Sequence, residues 1–246
     1  WEKAIEIYAR VIREYPRTPL VRFNLALTCS QHEKPDLAIS NLKEELYLTP
    51  DHPTSHLLLG ALFNGGDYRI PAIFALSRFL ILEPQSGRSA GALEILQELI
   101  HRGVEAREGK NIRITLIPGA RKDEGDFNAL ETALSLASAA RFLEKNEDRS
   151  AMEKEVEHFG SFFRSLLEMA GREQGGLAFT GDYYVPYFVA LHGQGHVEAF
   201  VYLIHATRNE KDVRDWLDAN MEKVRAFLEW DKKYTWPREM GYPAGP

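Results

Sequence analysis

Proline recurs every 34 residues in the first third of the chain, at Pro16, Pro50 and Pro84. The residues between keep the same register. Ala4, Ala38 and Ala72 share one offset, and Tyr8, Leu42 and Leu76 share another. Leu25 pairs with Leu59, Ala26 with Gly60 and Cys29 with Phe63. A period of this size, with small and bulky residues at fixed offsets, marks helical hairpins that bury their apolar faces only by stacking. The polar turns Gln31–Asp36 and Asn64–Asp67 divide each unit into two helices, and the proline closes it. Helices are predicted over 2–15, 19–31, 36–48, 54–64, 70–82 and 88–102. The last has no second helix, because Gly103 stops it, and it reads as the terminal solvating helix of a stack. Trp1 falls inside a second helix, so the expectation is that the chain is a piece of a longer protein.

Residues 1–102 resemble the tetratricopeptide repeat (TPR) family. Leu25, Ala26, Ala38, Leu42 and Pro50 carry the resemblance in one repeat. Leu59, Gly60, Phe63, Ala72, Leu76 and Pro84 carry it in the next. Arg22 and His56 stand where the family commonly has an aromatic, and Glu45 and Phe79 where it has a small residue. The resemblance implies a groove lined by the first helices. In the first repeat it involves Leu20, Phe23, Leu27, Ser30 and Gln31. In the second it involves Thr54, Leu57, Ala61, Asn64 and Gly65. TPR clamps for chaperone tails hold a carboxylate with Lys and Asn. Here Phe23, Leu27, Leu57 and Ala61 occupy those places, so a carboxylate would lose hydration without compensation and that class is excluded. The groove suits apolar surface, either a partner's segment or this chain's own second half. The rarity of large exposed apolar patches favours the second half.

Residues 103–125 form a connector, in which Ile112, Ile114 and Leu116 alternate with Arg113 and Thr115, the period of a strand near 111–117. Such a strand needs a partner: the Leu177–Thr180 stretch, which is favoured, or another molecule. Residues 126–236 read as helical without a clear repeat. Helices are expected from Asp126 to about Lys145, over 151–170 behind the capping box Ser150/Glu153, from Asp182 to Leu191, over 196–206, over 210–219 and over 221–234. Residues 237–246 read as an extended tail. The fold class is all-α: a TPR-like α-α solenoid followed by a C-terminal helical bundle, with a minor β element.

With 44% hydrophobic and 27% charged residues over 246 positions, the chain can build a core. A net charge of −6 with no basic stripe excludes nucleic acid as the expected partner. No apolar run reaches the length of a membrane span. The single cysteine, Cys29, forms no internal disulfide and leans the expected compartment towards the cytoplasm over the periplasm or exterior.

No phosphate-cradling glycine loop, G-x-S-x-G or C-x-x-C occurs, and no cofactor is expected. The acidic groups Asp123, Glu124, Asp126 and Glu153, Glu155, Glu157 read as a helix N-terminus and a solvated face. His192 and His196 have metal-pair spacing, but Gly193 and Gly195 between them make a turn, so they read as structural. Segment 177–202 is rich in aromatics with polar tips. On one helix, Tyr184 and Phe188 would face one way, Tyr183 and Tyr187 the other; one stripe is expected in the core and the other as a contact surface or sugar-stacking platform, with core or inter-helix packing favoured over a recognition site. The leading expectation is a non-catalytic scaffold that binds a protein or peptide, possibly a second copy, through Phe23, Leu27, Leu57, Tyr183, Tyr184 and Tyr187. The alternative is a ligand-binding protein or enzyme with a pocket between the halves, lined by those aromatics and by His192, His196 and His205.

Overall fold

The computed structural model describes residues 1–106, 112–115, 124–140, 150–170 and 178–237. Six helices come first: α1 (Glu2–Glu14), α2 (Val21–Gln31), α3 (Pro35–Leu48), α4 (Pro53–Gly65), α5 (Arg69–Leu82) and α6 (Ser89–His101). Each packs on the next in chain order. The prolines act as read. The residue before each is barred from the helical region, and Tyr15, Thr49 and Glu83 close their helices with near-identical dihedrals (φ −135, −132, −132°; ψ 68, 70, 71°). Each donates its N–H four residues back, to Val11, Glu45 and Phe79. The small–bulky pairing has an equally direct cause. A Cβ on Gly60 would stand 2.8 Å from Cγ and Cδ2 of the buried Leu76, so α4 approaches α5 more closely than any side chain there allows.

Glu45 is a constructive departure from the repeat pattern. Its carboxylate is fully buried. It accepts the N–H groups of Leu20 (2.9 Å) and Phe23 (3.3 Å) and the hydroxyl of Thr49 (2.7 Å). It therefore satisfies donors that the first turn of α2 leaves open.

After α6, Gly103 at φ 81° turns the chain into a two-stranded antiparallel sheet, β1 (Val104–Ala106) and β2 (Ile112–Ile114). The register is Val104↔Ile114, Glu105↔Arg113, Ala106↔Ile112. This corrects the expected partner. The strand near 111–117 pairs with its sequence neighbour, which costs little loop-closure entropy, and Thr180 belongs to a helix. Leu177, and the 116–117 end of the strand as read, lie outside the described residues.

The remaining helices are α7 (Asn128–Ala140), α8 (Ala151–Ala170), α9 (Val185–Gly193), α10 (Val197–His205), α11 (Lys211–Ala219) and α12 (Met221–Lys233). The expected extension of α7 to Lys145 falls outside the described residues. The capping box before α8 is formed: Ser150 N–H donates to Glu153 (2.9 Å) and Glu153 N–H to Ser150 Oγ (3.1 Å).

These helices cover α5. Every residue from Arg69 to Ile81 is buried. A helix apolar nearly all round, here broken only by Arg69, Ser77 and Arg78, must be enclosed, and stacking supplies only α4 and α6. The second half supplies the rest through α10 and the turn before α9, with Phe188 against Phe74 (5.2 Å). Arg69 ties the layers together. It donates to the carbonyls of Leu99 (2.6 Å) and Ile100 (3.0 Å) and to Glu131 of α7 (2.9 Å). It thereby satisfies carbonyls that the end of α6 leaves free.

Candidate functional site

The second half packs on the α3–α5 side: Tyr183 donates to the carbonyl of Leu46 (2.9 Å) and its ring meets Tyr47 (5.3 Å). The described residues of the second half leave Leu20, Leu27 and Ala61 of the groove exposed and instead enclose α5, which is apolar apart from Arg69, Ser77 and Arg78. On the first-helix face, Leu20 is 40% and Leu27 37% exposed, Ala61 is exposed, and Phe23 and Leu57 are half-buried. Phe23 stands edge-on to His52 (4.8 Å). Positions 34 residues apart are spatial neighbours here, since Arg88 donates to Thr54 Oγ1 (3.0 Å). Asn64 accepts from Arg102 (2.7 Å).

This face carries no charge on α2 or α4. Arg22 is the one Asp, Glu, Lys or Arg in the two helices, and it is buried beside Glu44 (4.0 Å). His56 is buried, and burial, with Arg78 nearby, pushes its pKa down to about 3. It is therefore neutral. Charge depletion at the centre of a patch, with apolar side chains exposed, is the compositional mark of protein interfaces.

The tyrosines take the core reading and not the contact-surface one. Tyr183, Tyr184 and Tyr187 are all fully buried and offer no surface to a partner. Residues Thr180–Tyr184 form a π-helical turn, in which Val185 N–H reaches back five residues to Thr180. The wider turn shifts the angular positions that an α-helix would give these rings. Both sides of the segment are then covered, by α3–α5 and by α12 with the residues after it. Trp236 stacks on Tyr183 (4.8 Å) and Tyr187 (4.7 Å).

Each phenol finds a partner inside. Tyr184 shares a 2.8 Å hydrogen bond with His56 Nδ1, and His56 Nε2 lies 2.8 Å from the Pro50 carbonyl. A carbonyl only accepts, so Nε2 carries the proton and Nδ1 accepts from Tyr184. Tyr187 donates to Asp231 (2.7 Å) and accepts from Arg78 (3.1 Å). Arg78 also binds Asp231, donates to Asp51 (2.7 Å), and lies over the Tyr187 and Trp236 rings. Burial raises all three phenols well above their ordinary value. The junction between the halves is thus packed with rings around one guanidinium.

The histidines do not converge. His196 packs on Phe227 (5.6 Å) and Trp230 (5.4 Å), and burial lowers its pKa. His192 is half-buried at the end of α9. His205 is buried on α10, its Nδ1 bonded to the Val201 carbonyl (2.7 Å). Among the described residues no group of three or more His, Cys, Asp or Glu is placed to hold a metal ion. No helix is long and apolar enough to cross a membrane among those residues. Glu124 pairs with Lys43, and Glu155 with Arg208 (3.0 Å), so these acidic positions serve packing between elements. Asp123 lies outside the described residues.

Two open hollows lie elsewhere. One, of about 450 Å³, has Glu153, Glu157, Arg164 and Glu198 on its walls between α8 and α10. The other, of about 510 Å³, is lined chiefly by Leu203, Leu217, Met221, Val224 and Leu228. Neither includes a residue expected to bind. Sequence reasoning also missed Glu45 and Arg78; the signal for Arg78 was a charge inside the otherwise apolar run Ile70–Leu82. No protein-family model matches the chain, and no curated protein matches it.

Proposed function

We propose that the chain is a TPR-type, non-catalytic binding scaffold whose partner surface is the first-helix face of α2 and α4. The observation that carries this reading is the pairing of exposed Leu20, Leu27 and Ala61 with the absence of any exposed Asp, Glu, Lys or Arg on α2 and α4 themselves. The shared helix-end geometry at 34-residue intervals supports reading the stack as TPR hairpins. Phe23, Leu27 and Leu57 are the contact residues; Tyr183, Tyr184 and Tyr187 hold the second half in place and so fix the curvature of the stack. Partner affinity comes from apolar burial at roughly 25 cal/mol per Å². The partner segment is a protein or peptide without a buried carboxylate, since α2 and α4 carry no exposed cation and the neighbouring Arg88 and Arg102 are paired with Glu83 and Asp67.

Photo-crosslinking tests the reading. A benzophenone amino acid at Leu27 is expected to trap a protein partner in the source cell, and the same probe at Glu168, exposed on α8, is not. The Leu27→Asp variant should lose the complex while keeping its fold. Equal trapping from both positions, or a complex indifferent to Leu27→Asp, overturns the assignment.

A further inference from the structure

The outer face of α12 carries two kinds of side chain. Met221 is 60% exposed, and Val224 and Leu228, three and seven residues on, are half-buried. With Leu203 of α10 and Leu217 of α11 they wall the open hollow of about 510 Å³. Beside them on the helix run Glu222, Arg225, Glu229 and Lys232, all exposed. None of these four makes a hydrogen bond or ion pair among the described residues. Arg225 and Glu229 stand four apart, where a pair within the helix is open to them, but a cation ahead of an acid is the weaker order. Neighbouring charges do pair: Lys223 with Glu198 (3.0 Å) and Lys211 with Asp215.

The order of the four free charges is self-complementary. Counted from Phe227, Arg225 and Glu229 lie two residues to either side, and Glu222 and Lys232 five to either side. Lay two copies of α12 antiparallel, with a two-fold axis at the level of Phe227. Arg225 of each copy then meets Glu229 of the other, and Glu222 meets Lys232. Such reciprocity is what an isologous contact requires. The two-fold, perpendicular to both helices, also turns like flank to like flank. The apolar edge and the hollow therefore meet their own copies, and charge faces only charge.

We infer that the outer face of α12 is a homodimer contact, in which a second copy of this chain covers the hollow. The pairing stands independently of the first-helix groove. A small amphiphile in the hollow would leave the four charges unmatched, whereas a second copy matches them by symmetry. A helix of 13 residues spans only about 20 Å. The contact is thus smaller than a standard interface of about 800 Å² per partner, and a dissociation constant of about 50 μM is expected.

Sedimentation of the whole chain over a range of concentrations reads this dimer. Arg225→Glu turns two reciprocal attractions into two repulsions, and so does Glu229→Arg. Each alone should weaken dimerisation about thirtyfold. Mixed one to one, the two variants should form a heterodimer of near-native affinity, since each then meets the opposite charge. A folding defect cannot produce that rescue, and with both positions exposed each variant should melt within about 2 °C of the native chain. Added salt should weaken the native dimer. A monomer at every concentration up to about 1 mM overturns the contact. Dimers that both single variants retain place the contact elsewhere and overturn it as well. Variants that fail singly and do not pair in the mixture refute the antiparallel register. Uptake of anilinonaphthalene sulfonate by a strictly monomeric chain would make the occupant a small amphiphile and overturn the second copy.

Discussion

Arg78 offers the sharpest check on how the halves are joined, because its two aspartates differ widely in burial and only Asp231 also accepts from Tyr187. Its side chain is 1% exposed; that of Asp231 is 10% and that of Asp51 73% exposed. Burial works against the charge of Arg78, yet Tyr187, Asp231 and Asp51 outweigh it and hold its pKa above the ordinary value. Removing one member of a buried pair costs about 3–5 kcal/mol, because the other is left as an uncompensated charge. An exposed pair is worth about 0–1 kcal/mol, since solvent screens it and replaces it. Asp231→Ala should therefore cost about 3 kcal/mol, at the lower end because Asp51 still contacts the guanidinium. Asp51→Ala should cost less than about 1 kcal/mol. Arg78→Met combined with Asp231→Leu should recover most of the loss, since a well-packed apolar pair can replace a buried ion pair. Urea unfolding reads the difference as a shift in midpoint at constant slope. Equal losses from the two aspartates, or a larger one from Asp51, would refute the claim that burial sets the strength of this contact.

Two further outcomes follow from buried groups. His56 and His205 have folded pKa values near 3 and 4, both pushed down chiefly by burial. The unfolded chain takes up protons below about pH 6.5 while the native state does not, so stability is complete above that value. It falls with pH by about 1.4 kcal/mol per unit for each histidine until the folded pKa is reached. Unfolding free energies measured from pH 7 to 4 should show this slope, and His56→Gln should remove about half of the histidine share; an unaltered slope would contradict it. Gly60→Val should cost about 1–3 kcal/mol by overpacking against Leu76. Leu76→Ala in the same chain should return part of it in a double-mutant cycle, and strict additivity of the two losses would contradict the contact.

The stack was legible because its signals are local. A proline that bars the residue before it from the helix acts within one turn, and Ser150 and Glu153 cap each other across three residues. Placement of the second half was legible only in part, since it depends on what α5 lacks. The run Ile70–Leu82 is apolar apart from Ser77 and Arg78, a readable instruction that the helix be enclosed, but nothing in that run says by which helices. The tyrosines show the limit more clearly. Assigning Tyr183 and Tyr187 to one face and Tyr184 to another assumes 3.6 residues per turn. One π-helical turn breaks that assumption, and no residue type in Thr180–Tyr184 announces it.

Burial of the tyrosines bears on the proposed scaffold through the stiffness of the stack. A solenoid that flexes would spend binding energy on fixing its curvature each time a partner docks. Here Tyr183 reaches α3, Tyr184 reaches α4 through His56, and Tyr187 reaches α5 through Arg78. Three consecutive helices of the stack are thus hydrogen-bonded to one short segment. Under the scaffold reading proposed above, the aromatic stretch would contribute by rigidity: it would set the spacing of the first helices before a partner arrives, so that more of the apolar burial in the groove is available as affinity.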